Sequence, residues 1–173
     1  MDVHLIAVQA KMAPAHYRTA GAFRNKILEL TERATAGLDD APKLVAFPET
    51  IGFPLLLALG EELPPFATVR EAVLFHFRRS WRDLVRLMLT CGLTPWQALY
   101  RMRALDAFLT YRDVMSEAAL SSGVTIVAGT SFLPDMDEEP SRGLHVTGRR
   151  TYNVAYTFGP TGSILSRTRK INL

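Results

Sequence analysis

The sequence predicts a layered α/β domain, with an α+β arrangement in its later part. In the first 50 residues, apolar runs of strand length flank one helix-length stretch. The middle of the chain is helical in pattern, and strands separated by a turn return after residue 123. A length of 173 residues with 48% hydrophobic and 21% charged residues suits one globular domain, so we treat 1–173 as a single unit.

The first 50 residues predict a strand, a helix and a second strand. "VHLIAVQA" is a short apolar run, as expected of a largely buried strand. In "AGAFRNKILELTERATAG", apolar residues recur every three or four positions from Phe23 to Ala34, which favours a helix that stops near Gly37. "PKLVAFPET" predicts another buried strand, which Pro48 ends because proline cannot continue a central ladder.

From about Leu55 to Leu120 the sequence predicts helices and no strand. "EAVLFHFRRSWRDLVRLML" has apolar residues on one helical face and arginines on the opposite face. The apolar set is Val73, Phe77, Trp81, Leu84 and Met88, and the basic set is Arg78, Arg79, Arg82 and Arg86. "TPWQ" then predicts a helix start with a Thr94–Gln97 capping box, and this helix, whether continuous, kinked or broken, is expected to reach Ser121 before Gly123.

The last part predicts strands. "VTIVAGTSF" is expected to be followed by a polar, acidic loop over "LPDMDEEPSRGLHVTGRR". "TYNVAYTF" and "SILSRTRKINL" then flank "GPTG", which is typical of a hairpin turn.

Charge and composition argue against several classes of protein. A net charge of +3 is too weak to indicate nucleic-acid binding. The only cysteine, Cys91, excludes an internal disulfide, and neither a signal peptide nor an apolar run of about 18 residues is present, so we expect a cytoplasmic protein. Four scattered histidines and the lack of a phosphate-binding glycine motif predict no metal and no cofactor.

Two residues are candidates for catalysis. Glu49 directly follows a buried strand, and an apolar environment is expected to raise its pKa toward that of a general base. The alternative is an ordinary loop glutamate or an acid at a helix N-terminus. Lys170 is the last charged residue of a strand pattern that also contains Arg167 and Arg169, where a solvated edge lysine or a basic patch is the alternative.

Two other features favour structural roles. Cys91 follows the C-terminal end of a predicted helix, where the helix dipole disfavours a thiolate, so we expect it to pack rather than react. The arginine-rich helix face is expected to be solvated or to lie in a subunit contact, in preference to lying on anionic lipid.

Taken in order, four segments resemble the carbon–nitrogen hydrolase family, also called the nitrilase superfamily. They are the strand ending in Val8-Gln9, the helix and strand leading to Phe-Pro-Glu, the stretch "SEAALSSGVTIVAGTSF", and the Tyr-Asn strand with its Pro-x-Gly turn and Arg-Lys ending. The resemblance covers both ends of the chain and not its middle.

The resemblance implies part of a four-layer α-β-β-α sandwich and a Glu-Lys-Cys mechanism on a small-molecule amide or nitrile. Glu49 matches the general base, and Lys170 matches the lysine that stabilises the tetrahedral intermediate. The family's nucleophilic cysteine lies beyond that lysine, so this chain is expected to be an N-terminal portion, inactive alone and without a nucleophile of its own. Cys91 does not take that place.

The middle of the chain departs from the family in length. Glu49 and Lys170 are 121 residues apart, which implies an inserted helical hairpin at about residues 60–103. The expected partners are copies of the same chain or a complementing C-terminal segment. The alternative is a non-catalytic binding or assembly module that uses the basic insertion to contact a partner or membrane, and a complete small enzyme built on Cys91 is disfavoured.

Overall fold

Five strands form one sheet in chain order, as a computed structural model shows for residues 2–60 and 63–170. Strands β1, β2 and β3 are parallel, while β4 and β5 each pair antiparallel with the preceding strand. Their bounds are β1 His4–Ala7, β2 Lys43–Ala46, β3 Thr125–Glu139, β4 Gly143–Phe158 and β5 Ile164–Arg169. Two antiparallel steps make β5 run in the same direction as β2.

The helices are α1 Ala20–Thr35, α2 Leu55–Ala58, α3 Val69–Arg79, α4 Trp81–Cys91 and α5 Pro95–Ser122, with a 3₁₀ turn at Pro14–Tyr17. The Thr94–Gln97 capping box is present, and Gly123 ends α5 with φ 62°. The helix is unbroken: it continues for 28 residues, and neither glycine nor proline occurs between Trp96 and Ser122.

The amphipathic run in the middle forms two helices rather than one. Ser80 leaves the helical conformation, with φ −115° and ψ 25°, and separates α3 from α4. Leu84 is buried, whereas Trp81, which belongs to the same apolar set, is 55% exposed. Whether residues 60–103 are an insertion stays a prediction.

The loop predicted after "VTIVAGTSF" is wrong. Residues 133–150 continue β3 and β4 as an antiparallel hairpin, with its turn between Glu139 and Gly143. Met136 pairs with Val146 across the hairpin and is buried, so apolar side chains alternate with the acidic ones. Pro134 fits in β3 because the register shifts beside it.

The two faces of the sheet differ in burial. Side chains toward α1 and α5 are buried, including Val45, Ile126 and Phe158. On the opposite face Leu44 is half-buried and Leu5 is exposed. The described residues thus form a mixed α/β architecture with one sheet layer and one helical layer. None of the described helices has both the length and the apolar character needed to cross a membrane.

Candidate active site

Glu49 lies just beyond the carboxyl end of β2, and a glycine in β3 makes room for it. Phe47 donates its N–H to Val127 O at 2.9 Å and extends the ladder by one residue. The chain then passes over Gly129, which sits at a register shift in β3 with φ 66°. A Cβ on Gly129 would collide with the carbonyl oxygen of Pro48, so this close approach requires glycine.

The residue after Glu49 is in a strained conformation. Thr50 has φ 64°, a left-handed conformation that β-branched residues rarely adopt. Two hydrogen bonds to Thr130 hold this turn: Thr50 N–H donates to the hydroxyl at 2.8 Å, and Gly52 N–H donates to the carbonyl at 3.1 Å. Such strain persists only where surrounding contacts fix it, and here they fix the backbone next to Glu49.

Helix α5 contacts the same region through Tyr111. The hydroxyl of buried Tyr111 donates a hydrogen bond that is shared between two carbonyl oxygens at the register shift. These are Ala128 O at 2.9 Å and Gly129 O at 3.2 Å. Burial raises the pKa of Tyr111, which keeps the phenol neutral and able to donate. Gly52 packs against the Tyr111 ring, where a Cβ would come within 2.8 Å of Cδ2. The turn that follows Glu49 therefore packs against helix α5.

The Glu49 carboxylate accepts two hydrogen bonds. Lys170 Nζ donates to Oε1 at 2.7 Å, and Asn153 Nδ2 donates to the same oxygen at 2.8 Å. Lys170 directly follows β5, and its N–H donates to Asn153 O at 2.8 Å. Since β2 and β5 run in the same direction, their carboxyl ends bring Glu49 and Lys170 to one edge of the sheet.

The predicted raised pKa of Glu49 is wrong in this structure. The hydrogen bond from Lys170, its positive charge and the hydrogen bond from Asn153 together lower the pKa of Glu49. Desolvation raises the pKa of Glu49 but is outweighed, because the Glu49 side chain is 53% exposed and the Lys170 side chain is 52% exposed. The carboxylate is therefore ionised near neutral pH and paired with an ammonium.

Asn153 is a site residue that sequence reasoning did not single out. Its signal was present only as the "TYN" of a family motif. The Nδ2 of Asn153 donates to Glu49, while its Oδ1 is buried and has no hydrogen-bond partner among the described residues. A buried acceptor without a donor is uncommon, which makes this amide a candidate site residue.

Two arginines fix β5 beside the site. Arg167 Nη2 donates to Asp135 Oδ1 at 3.2 Å, and Arg169 forms an ion pair with the same carboxylate. The Arg169 guanidinium also lies 4.3 Å from the centroid of the Tyr152 ring. These contacts account for the basic "RTRK" stretch as an anchor of the strand that delivers Lys170.

An aromatic cluster adjoins the site. Phe132 is the register partner of Asn153, so the two side chains share one face of the sheet. Phe53 packs edge-on against Phe132 with 5.2 Å between ring centroids. Tyr100 of α5 stacks on Phe132 with 6.2 Å between ring centroids. Burial raises the pKa of Tyr100. The cluster gives one side of the site an apolar boundary.

Cys91 lies apart from these groups. It ends α4 half-buried, and its Sγ is 3.6 Å from Thr90 Oγ1, which fits the predicted packing role. In residues 2–60 and 63–170 no hydrogen bond joins Cys91 to Glu49 or Lys170, and no group of three or more potential ligands is placed to hold a metal. A cavity of about 360 Å³ between the 3₁₀ turn, α2 and α3 is lined mostly by apolar side chains and includes neither Glu49 nor Lys170.

Comparison with known proteins finds similarity to solved structures only. No family model matches the chain, and no curated protein matches it either. It is similar to a carbon–nitrogen hydrolase from Helicobacter pylori G27, with 14% identity and a TM-score of 0.46 over 98% of this chain and 40% of that one. It is also similar to Saccharomyces cerevisiae Nit3, a member of branch 10 of the nitrilase superfamily, with 16% identity and a TM-score of 0.43 over 98% of this chain and 44% of that one. The chain thus spans about two-fifths of the length of each protein, and both bear the name of the family that the sequence motifs resemble.

Proposed function

We propose that residues 1–173 provide the general base and the lysine of a carbon–nitrogen hydrolase. The observation that supports this is the contact of Lys170 Nζ with Glu49 Oε1 at 2.7 Å, which joins two motif residues 121 positions apart. A second donor, Asn153, holds the same carboxylate oxygen. Strained backbone at Thr50 and a glycine-dependent approach at Gly129 fix the position of the base.

In the proposed reaction, the nucleophile is a cysteine thiol on a polypeptide segment outside these residues. Glu49 takes the thiol proton as sulfur attacks the amide or nitrile carbon. For an amide, the tetrahedral intermediate collapses to a thioester, and ammonia leaves with the proton from Glu49. Water then attacks the thioester and gives a proton to Glu49. The carbon–sulfur bond breaks, the carboxylic acid leaves, and the proton on Glu49 returns to the cysteine sulfur. Lys170 stabilises the negative charge on the substrate oxygen.

The exposure of the pair supports a role for a second segment. Glu49 and Lys170 are both about half exposed to water, where charge stabilisation is weak. A segment that covers them would remove water, strengthen the effect of the lysine and raise the pKa of Glu49 toward that of a working base. This chain alone is expected to be inactive.

The test is ammonia release from simple amides and nitriles. Residues 1–173 are assayed alone and together with the polypeptide encoded directly downstream of Leu173. We expect release only from the combination, a loss of about 10²–10⁴-fold in rate with Glu49→Gln, and a comparable loss with Lys170→Met. Cys91→Ser is expected to leave the rate unchanged.

The matched control is a surface pair on α1 with similar geometry. Lys26 contacts Glu29 at 3.0 Å, and the variants Lys26→Met and Glu29→Gln should retain the full rate. An inactive combination, or a downstream segment without cysteine, would overturn the proposal and leave the non-catalytic binding module as the function.

A further inference from the structure

Helix α4 presents an exposed apolar stripe to solvent. Trp81, Val85 and Leu89 follow one another at four-residue spacing, so they align along one side of the helix. We call these three residues the α4 stripe. Leu89 is 80% exposed, Trp81 is 55% exposed and Val85 is also exposed. An exposed row of apolar side chains of this kind is a candidate interaction surface.

The border of the α4 stripe is basic. Arg82 and Arg86 follow Trp81 and Val85 directly, and helical geometry places them along the side of the stripe that is remote from buried Leu84. The Arg82 guanidinium lies 5.5 Å from the centroid of the Trp81 ring. Asp83, the only acid of α4, lies on the side of the helix opposite the α4 stripe, three residues before Arg86.

The net charge of the chain is concentrated in the same place. Residues 69–91 contain five arginines and two acidic residues, which leaves a net charge of +3. The whole chain also carries +3, so its other 150 residues are balanced at 15 basic and 15 acidic. A partner attracted by this charge is therefore directed to α3 and α4.

We propose that α4 binds the surface of an anionic lipid membrane. The helix lies in the plane of the interface, with the α4 stripe among the acyl chains and with Arg82 and Arg86 at the lipid phosphates. Tryptophan beside arginine at the edge of an apolar face suits the boundary between hydrocarbon and water. This proposal does not depend on the catalytic role of Glu49.

Two other occupants fit the surface less well. A second copy docked on α4 through a two-fold axis would bring the arginines of both copies together, and like charges oppose such a contact. A folded protein partner would be expected to insert anchoring side chains into pockets. Neither cavity of about 360 or 290 Å³ is lined by a residue of α4. A fluid lipid surface conforms to a convex helix without a pocket.

The two tryptophans of the chain, Trp81 and Trp96, allow a direct test by fluorescence. Trp96→Phe leaves Trp81 as the only reporter, within the proposed contact. We expect its emission to shift to shorter wavelength with vesicles containing phosphatidylglycerol and to stay unchanged with pure phosphatidylcholine. Raising NaCl from about 0.1 M to about 0.5 M should reverse the shift because salt screens the arginines.

Matched variants distinguish binding through this surface from nonspecific adsorption of the protein to vesicles. Arg82→Gln with Arg86→Gln should weaken vesicle partitioning by about 20-fold, and Leu89→Ser should weaken it by about tenfold. Leu5→Ser is the apolar control, since Leu5 is 78% exposed on β1. Arg33→Gln on α1 is the charge control, and neither control should change partitioning. Circular dichroism checks that each variant keeps its helices.

Three results would overturn the proposal. They are equal binding to neutral vesicles, an equal loss of partitioning with Leu5→Ser and Leu89→Ser, and shielding of Trp81 that depends on protein concentration without lipid. The third result would identify a second copy of the chain as the occupant of the α4 stripe.

Discussion

At the scale of single residues, the site depends on what Gly129 lacks. A side chain there would collide with the Pro48 carbonyl and would also lie 2.9 Å from Ile51 Cγ2. Its φ of 66° would strain any other residue. The position of the Glu49 backbone therefore follows from the absence of one methyl group in the neighbouring strand.

We expect Gly129→Ala to lower the free energy of unfolding by about 2–4 kcal/mol, because backbone strain and a clash with backbone add. The control is Gly37→Ala, where φ is 74° but a Cβ would meet nothing within 4 Å, and the expected loss is about 1 kcal/mol. Urea unfolding of both variants checks this. Equal losses would show that the approach of Pro48 to β3 is unimportant.

The residues of the site were only partly predictable. Phe-Pro-Glu and Arg-Lys drew attention to Glu49 and Lys170, and the structure brings these two side chains into contact. Asn153 and Gly129 escaped notice because their importance comes from neighbours set by strand register, which a single sequence does not contain. The pKa of Glu49 was predicted with the wrong sign because burial was inferred from the preceding strand, while the side chain itself is half exposed.

At the scale of elements, capping motifs gave better predictions than composition. The Thr94–Gln97 box and Gly123 correctly indicated both ends of α5 because these signals are local. The acidic stretch after β3 was mistaken for a loop because its strands are held by pairing with each other, which composition does not reveal. Ser80, which divides α3 from α4, carries no strong breaking signal in the sequence.

Helix α3 contains a buried histidine whose titration should affect stability. His76 Nε2 lies 2.8 Å from Leu57 O and donates to it as the neutral ring. Desolvation lowers its pKa, and the charges of Arg103 and Arg79 lower it further, against the opposing effect of the Leu57 hydrogen bond. The unfolded chain, with a pKa near the ordinary value of about 6.5, then binds a proton that the folded chain does not.

Stability is therefore expected to be full above pH of about 6.5 and to fall as the pH drops from there toward the lowered pKa. Chemical unfolding at a series of pH values measures the slope. His76→Gln should flatten that slope, whereas His16→Gln on the 3₁₀ turn should retain it. A slope that is unchanged in His76→Gln would assign the acid sensitivity to other groups.

At the scale of the whole molecule, the sheet has a covered face and an open face. Helices α1 and α5 bury one side, while the other side is half-buried or exposed, and all six residues of β5 are exposed. Fold class followed from the order of strands and helices, because that order alone limits the layers that can form. The open face is a tertiary property, which strand patterns could not show.

Edge strands should therefore open before central ones. We expect amide hydrogen exchange to be slowest in the β3–β4 ladder and faster in β5, an edge strand held by β4 and by the Asp135 pairs. Asp135→Asn should accelerate exchange in β5 by about fivefold, as expected for the loss of two partly exposed ion pairs. Exchange in β1 is the internal control, and equal acceleration there would contradict a local role of Asp135.

The separation of Glu49 from Lys170 has a consequence for synthesis. A ribosome adds roughly 5–20 residues per second, so the lysine is made about 6–24 s after the glutamate that it contacts 121 residues earlier. β2 is complete when that interval begins, and α3, α4, α5, β3, β4 and β5 are all made within it. The Glu49–Lys170 contact therefore cannot form until β5 has been made, and its presence reports that the elements from β2 to β5 have been synthesised.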